Sequence, residues 1–293
     1  MEYISKTLDF HVKEPSVISF GKFDGLHRGH EFLMEKQIEQ SNLHGYKRII
    51  FTFDIPPKSE VLGVESKVII TNDEKEYVFK KSGIDYLIEC PFVPQVMTME
   101  ADAFVRWIVK SLNVKCIIVG DDFRFGHNRA GDHRLLSAMA GELGYELIVV
   151  DKIKDGDRDI SSTYIREEIA AGHIKKANEL LGRTIGIPTV NLSVPHDKLL
   201  PPKGVYMSRV LVRDNWYLGV TNIGCKPTIE GKNPIGAETY IIDFGQDVYG
   251  QDIMVELHKF VRPEMKFDSI EALKSQMSAD INYTINYAGS HTF

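Results

Sequence analysis

Apolar residues follow two different rhythms along the chain. In the first half, short runs rich in β-branched and aromatic residues, VISF (17–20), RIIFTF (48–53), YLIEC (86–90), CIIVG (116–120) and ELIVV (146–150), alternate with longer amphipathic stretches. The clearest of these stretches spans Ala101 to Leu112. There Phe104, Trp107, Ile108 and Leu112 recur at helical spacing and line one face, with Thr98 as the expected N-cap. Strands alternating with helices predict a parallel sheet with right-handed crossovers, and ligands gather beyond the carboxyl ends of such strands. From about Thr184 the rhythm changes to consecutive β-type runs, VYMSRVLVR (205–213), WYLGVTNI (216–223), ETYIIDF (238–244) and IMVELHKFV (253–261). Asp214-Asn215 separates the first two in hairpin fashion. A closing helix is expected from near Asp268, with Asp268 and Glu271 as a capping box and Ile270, Leu273 and Met277 as its apolar face. The expected architecture is therefore an α/β domain over 1–182 and an antiparallel β-barrel domain with a terminal helix over 183–293.

Length agrees with two domains, since 293 residues exceed the size of most single cores. A net charge of −6 without a long basic run argues against nucleic acid or a membrane surface as partner. The three cysteines, Cys90, Cys116 and Cys225, contain no CxxC pair, which fits a reducing compartment and excludes a cysteine zinc site of usual spacing. The N-terminal MEYISKTLDF has no apolar core of a signal peptide, and no window reaches membrane-spanning length, so a cytoplasmic location is expected.

Three stretches carry candidate chemistry. The first, GKFDGLHRGH (21–30), follows the strand VISF and leads into a helix. A glycine turn between a strand and a helix N-terminus lets backbone approach phosphates closely, and His27 and His30 add donors able to carry charge near neutral pH. The second, GDDFRFGHNRAGD (120–132), packs acids, aromatics, arginines and glycines into one loop, a density that a purely structural connection rarely needs. In the third, ISSTYIREEIAAG (160–172), Ser162, Thr163 and Arg166 place hydroxyls and a guanidinium on one helical turn. Taken alone, that third stretch reads better as a capped helix start than as an anion site.

In this order the three stretches resemble the bacterial FAD synthetases, members of the Rossmann-like α/β nucleotidyltransferases. The resemblance implies transfer of AMP from ATP to FMN, giving FAD and pyrophosphate, with Mg²⁺ as cofactor and ATP and FMN as small-molecule partners. It assigns His27, His30 and Arg166 to catalysis and Gly21, Phe23, Asp24, Gly29, Ser162 and Thr163 to ATP. It assigns Asp122, Phe123, Phe125 and Arg129 to FMN, the aromatics flanking the isoalloxazine ring. One departure is Asp54-Ile55-Pro56-Pro57, where the family carries Pro-His-Pro.

The second half resembles the riboflavin kinase module fused to these enzymes, through GIPTVN (186–191), LPPKGVY (200–206), TNIGCKPT (221–228), ETYIIDF and RPEMKF (262–267). The resemblance implies that Thr189 and Asn191 bind Mg²⁺ and phosphates and that Glu238 is the base. Between Leu181-Gly182-Arg183 and Thr184, however, roughly twenty residues of the family pattern are missing, about one strand and its turns. The expectation is a truncated module whose kinase activity is lost. The fully bifunctional enzyme and a non-catalytic flavin-binding regulator are the alternatives.

Overall fold

The computed structural model describes residues 1–54, 67–189, 197–225, 235–246, 248 and 253–291. Contacts divide the chain into two compact units, Met1–Ser161 and Ser162–Phe293.

The first unit is built on a six-stranded sheet. Its strands are β1 (Glu2–Ser5), β2 (Ser16–Phe20), β3 (Lys47–Asp54), β4 (Tyr86–Pro91), β5 (Val114–Gly120) and β6 (Glu146–Val150). They lie in the order β1-β4-β3-β2-β5-β6, every neighbouring pair parallel. The connecting helices are α1 (Arg28–His44), α2 (Asn72–Lys81), the short α3 (Pro94–Met97), α4 (Ala101–Ser111) and α5 (His133–Leu143). All five residues of β2 are buried, which explains its uninterrupted apolar character. From β2 the chain winds outward through β3 to β4, then returns to the other side of β2 for β5 and β6. The order thus reverses between β2 and β5, the place where open parallel sheets leave a crevice for ligands.

Two apolar clusters cover the two faces of this sheet. One gathers Ile18, Phe20, Phe51, Phe104, Ile108 and Phe125 beneath α4 and α5. The other gathers Val17, Phe23, Leu26, Leu33, Ile50 and Phe79 beneath α1 and α2. As the spacing predicts, Phe104, Ile108 and Leu112 face inward from α4, and Trp107 packs on Phe10 with ring centroids 4.9 Å apart. The N-cap differs from expectation. It is Glu100, without a side-chain bond, whereas the Thr98 hydroxyl donates to Pro94 O and closes α3.

A small ladder, β7 (Lys154–Asp155) with β8 (Arg158–Asp159), closes the first unit. The second opens with α6 (Ser162–Ala170) and α7 (Ile174–Leu181). An antiparallel sheet follows, of β9 (Ile185–Thr189), β10 (Gly204–Val212), β11 (Asn215–Cys225), β12 (Ile235–Ile241) and β13 (Ile253–Arg262), and the unit ends with α8 (Ile270–Ser290). The strand order is β12-β11-β10-β13-β9, an open half-barrel among the described residues. Helix α7 buries Ile174, Ala177, Leu180 and Leu181, and Asn178 is bonded to Leu257 O of β13 and to Ile185 N–H of β9. Residues 162–181 therefore pack within the second unit, whereas the change of rhythm in the sequence placed them in the first.

The β10–β11 hairpin turns at Arg213 and Asp214, with φ of 47° and 67°, between the paired Val212 and Asn215. That is the turn geometry favoured by strand twist, one residue earlier than Asp214-Asn215. Among the described residues no helix is long and apolar enough to cross a membrane.

Candidate active site

The stretch from Gly21 to His30 leaves the carboxyl end of the central β2, beside the reversal of strand order. Gly21 N–H donates to Phe51 O at 3.2 Å, which continues the β2–β3 ladder by one residue before the turn. Phe23, Gly25 and Leu26 then take left-handed backbone conformations, with φ of 50°, 89° and 46°. For Phe and Leu this costs roughly 1–2 kcal/mol each. Both side chains are completely buried, and burial of each returns about 1.5–3 kcal/mol, so the core holds the turn in its strained form. Phe23 lies behind His30, centroids 5.0 Å apart, and meets Phe79 of α2 edge-on at 5.5 Å. Its side chain supports the site from within the core and presents no face to a ligand.

His27 is the N-cap of α1 and makes no side-chain capping bond. The rings of His27 and His30 stack, centroids 3.8 Å apart and planes inclined by 25°. Gly29 makes this possible, since a Cβ there would lie 3.2 Å from two atoms of the His27 ring. Nδ1 of each histidine is buried without a hydrogen-bond partner. Desolvation pushes the His27 pKa down to about 4, and it drives His30 well below the ordinary histidine value, with His27 as a second cause. Burial therefore favours the neutral form of both rings at neutral pH. Asp24 has a structural task. Its Oδ1 accepts from the backbone N–H of Ile69 at 2.8 Å and of Ile70 at 3.3 Å, ahead of α2.

The second loop leaves β5, the neighbour of β2. Phe20, at the end of β2, stacks on Phe123, and Phe123 stacks on Phe125, each pair 5.4 Å apart and within 20° of parallel. Phe125 is buried against Phe104, so it packs the core and does not flank an open ring site. Phe123 is half-buried between its two neighbours. Asp122 is exposed and pairs with Lys152 at 3.0 Å, and Lys152 reaches Asp159 at 3.2 Å. The carboxylates raise the Lys152 pKa, so the ammonium stays charged. Nothing in the motif pattern singles out Lys152, which lies on the segment after β6. Arg129 is exposed, in a left-handed conformation with φ of 59°. Glycine-poor geometry of this kind persists where surrounding contacts impose it.

In the second unit Ser162, Thr163 and Arg166 occupy the start of α6, with Tyr164, Ile165 and Ile169 buried beneath them. Glu238 is exposed on β12, directly opposite Asn222 of β11. Both line a cavity of about 430 Å³, together with Arg262, Glu264, Phe267 and Met277. Gly224 leaves room for the Glu264 carboxylate, which a Cβ at that position would strike. Asn222 and Glu264 lie in the stretches TNIGCKPT and RPEMKF, but only the strand register shows that they share the cavity with Glu238. The backbone of Thr189 pairs with Ile253 in β9. Its side chain, Asn191, and Ile55, Pro56 and Pro57 lie outside the described residues. Among the described residues no three His, Cys, Asp or Glu side chains are grouped to hold a metal ion.

Comparison with known proteins agrees with this division. The family model "FAD synthetase" matches residues 9–164 and the family model "Riboflavin kinase" matches residues 166–288. The chain is 30% identical to the bifunctional riboflavin kinase/FMN adenylyltransferase of Listeria monocytogenes, covering 90% of each chain. It is 32% identical to the protein of that name from Escherichia coli K12, covering 92% of this chain and 91% of the other. A solved structure described as a macrolide-efflux protein from Streptococcus pneumoniae superposes with a TM-score of 0.86 at 28% identity, over 97% of this chain and 98% of that one.

The match over 166–288 overturns the expected truncation of the kinase module and, with it, the ground for expecting kinase loss. The short junction is accommodated in the fold. Gly182 ends α7 with φ of 74°, and the chain enters β9 at Ile185, where it takes the sheet position beside β13. The chain belongs to the FAD synthetase family, its FAD synthetase half followed by a riboflavin kinase half.

Proposed function

We propose that this chain is a bifunctional riboflavin kinase/FMN adenylyltransferase. In the first unit an FMN phosphate oxygen attacks the α-phosphorus of ATP, the bond to the β-phosphate oxygen breaks, and FAD and pyrophosphate result. The phosphate is itself the nucleophile, so the protein supplies position and charge stabilisation. The observation that carries this reading is the stacked His27–His30 pair, desolvated and short of hydrogen-bond partners, at the end of the central strand. A polyphosphate brings the acceptors these rings lack and raises their proton affinity, so that charge appears where it builds up on the α-phosphate. Gly21, Phe23, Asp24 and Gly29 shape that turn. Ser162, Thr163 and Arg166, which match the second signature of the family, are assigned to the triphosphate.

Asp122, Phe123, Phe125 and Arg129 are assigned to the FMN loop, with Arg129 as the contact to FMN and Phe125 as its packing anchor. Mg²⁺ bound by the phosphates would neutralise charge on the leaving pyrophosphate. In the second unit Glu238 accepts the proton of the riboflavin 5′-hydroxyl as that oxygen attacks the γ-phosphorus of a second ATP, the bond from the γ-phosphorus to the bridging oxygen breaks, and FMN and ADP result. Thr189 and Asn191 are assigned to Mg²⁺ and phosphate there. The cavity beside Glu238 supports a flavin-sized occupant. Product analysis tests both halves, with riboflavin and FMN offered separately alongside ATP and Mg²⁺. FMN followed by FAD is expected from the first, and FAD with pyrophosphate from the second. Absence of FAD from FMN would refute the adenylyl-transfer reading, and absence of FMN from riboflavin the kinase reading.

A further inference from the structure

The loop after β5 does not hang free at the rim of the sheet. It is seated on the corner between α3 and α4, a segment outside all three family signatures. His127 N–H donates to Met99 O at 2.8 Å, and the His127 ring nitrogen Nδ1 lies 3.2 Å from Met97 O. On either side of these bonds two glycines close on the first residue of α4. A Cβ on Gly126 would lie 2.7 Å from both Cα and Cβ of Ala101, and a Cβ on Gly131 would lie 2.9 Å from Ala101 Cβ. Ala101 is itself buried. Phe125 and Gly131 exchange two backbone hydrogen bonds, at 3.1 and 2.9 Å, which close the loop at its base. Between these anchors run His127, Asn128 and Arg129, a single tight turn with Asn128 and Arg129 both left-handed.

We propose that the Met97–Ala101 corner is the platform that sets the position of Arg129, so that Ala101 and His127 act as positioning residues for FMN. The inference rests on the assignment of this loop to FMN. Its physical basis is the lack of slack. Two glycine backbones meet one methyl group, and a branched side chain at position 101 must lift the 126–131 segment from its seat. Arg129 is held within the turn itself, its backbone N–H donating back to Gly126 O at 3.0 Å. A displacement of the turn therefore moves the guanidinium with it, while the nucleotide turn at Gly21–His30, anchored through Phe23 and Leu26 on the other face of the sheet, keeps its place.

Steady-state adenylyl transfer, with FMN and ATP varied separately, tests the proposal. Ala101→Val is expected to raise KM for FMN about tenfold, with kcat and KM for ATP within about twofold of the parent. Ala101→Ser, nearly isosteric, is expected to stay within about twofold in all three. His127→Ala, which removes the ring contact and leaves the backbone bond, is expected to raise KM for FMN roughly three- to fivefold, and it decides the matter should the valine variant not fold. Arg129→Ala separates the two levels. If it leaves KM for FMN unchanged, the assignment of the loop to FMN fails, and the platform with it. If Arg129→Ala raises KM for FMN, but His127→Ala and a folded Ala101→Val do not, or they raise both KM values together, the platform proposal is overturned while the loop assignment stands.

Discussion

His27 and His30 owe their charge state to their surroundings. Histidines are able to carry charge near neutral pH, but burial favours the neutral form of both of these rings. The same burial gives stability a defined pH dependence. The folded pKa of His27 lies near 4 against an ordinary 6.5, so the unfolded chain binds the extra proton between those values. The contribution is complete above pH 6.5 and is lost as pH falls toward 4, at about 1.4 kcal/mol per unit. Thermal melts of the protein should fall more steeply over that window than those of a His27→Gln/His30→Gln double variant. Parallel slopes would show that these rings are not the buried neutral pair described. Gly29→Ala is expected to lower kcat for FAD formation roughly tenfold, because the added Cβ presses on the His27 ring. A loss seen only in KM for FMN would contradict that role. The motif GKFDGLHRGH was legible as a glycine turn between a strand and a helix start. The inward Phe23 and the diversion of Asp24 to Ile69 and Ile70 were not, since both depend on a distant helix, α2, that the spacing within the motif does not encode.

Among the elements, α8 departs furthest from its sequence pattern. Ile270, Leu273 and Met277, which read as a buried stripe, are 67%, 39% and 42% exposed, and the buried residues are Asp280 and Thr284. Ser269 caps the helix in place of Asp268, accepting from Ala272 N–H. Leu273 and Met277 line the cavity beside Glu238, so the apolar stripe faces a site more than a core. What tethers the helix is a charged contact. Arg262 of β13 donates to both oxygens of Asp280 at 2.7–3.1 Å, and Gln276 adds a bond at 3.0 Å. Removing one partner of a buried pair leaves the other uncompensated, so Asp280→Ala should destabilise the second unit by about 3 kcal/mol. The same variant should weaken riboflavin binding, measured by flavin fluorescence titration, because α8 forms one wall of the cavity. Unchanged denaturant midpoints would contradict the tether. The helix α4 was read correctly in face and length because its apolar residues meet a core, whereas α8 borders a cavity, and periodicity does not distinguish the two.

For the whole chain, the alternation of strands and helices and then the run of antiparallel strands were enough to give both halves of the fold. The short junction after Leu181 suggested a damaged module, because a gap in sequence says nothing about whether the sheet closes over it. In the structure β9 occupies the place beside β13, and the riboflavin kinase match runs through the junction. Two reactions served by separate sets of residues is the central claim, and one comparison tests it most directly. His27→Asn and Glu238→Gln variants are each supplied with ATP and Mg²⁺, and with riboflavin or FMN, and their flavin products are followed by chromatography. The account expects His27→Asn to convert riboflavin to FMN and stop there, and Glu238→Gln to make FAD from FMN while leaving riboflavin untouched. If either substitution abolishes both reactions in a folded protein, or if neither affects its own, the assignment of the two reactions to separate sets of residues is wrong.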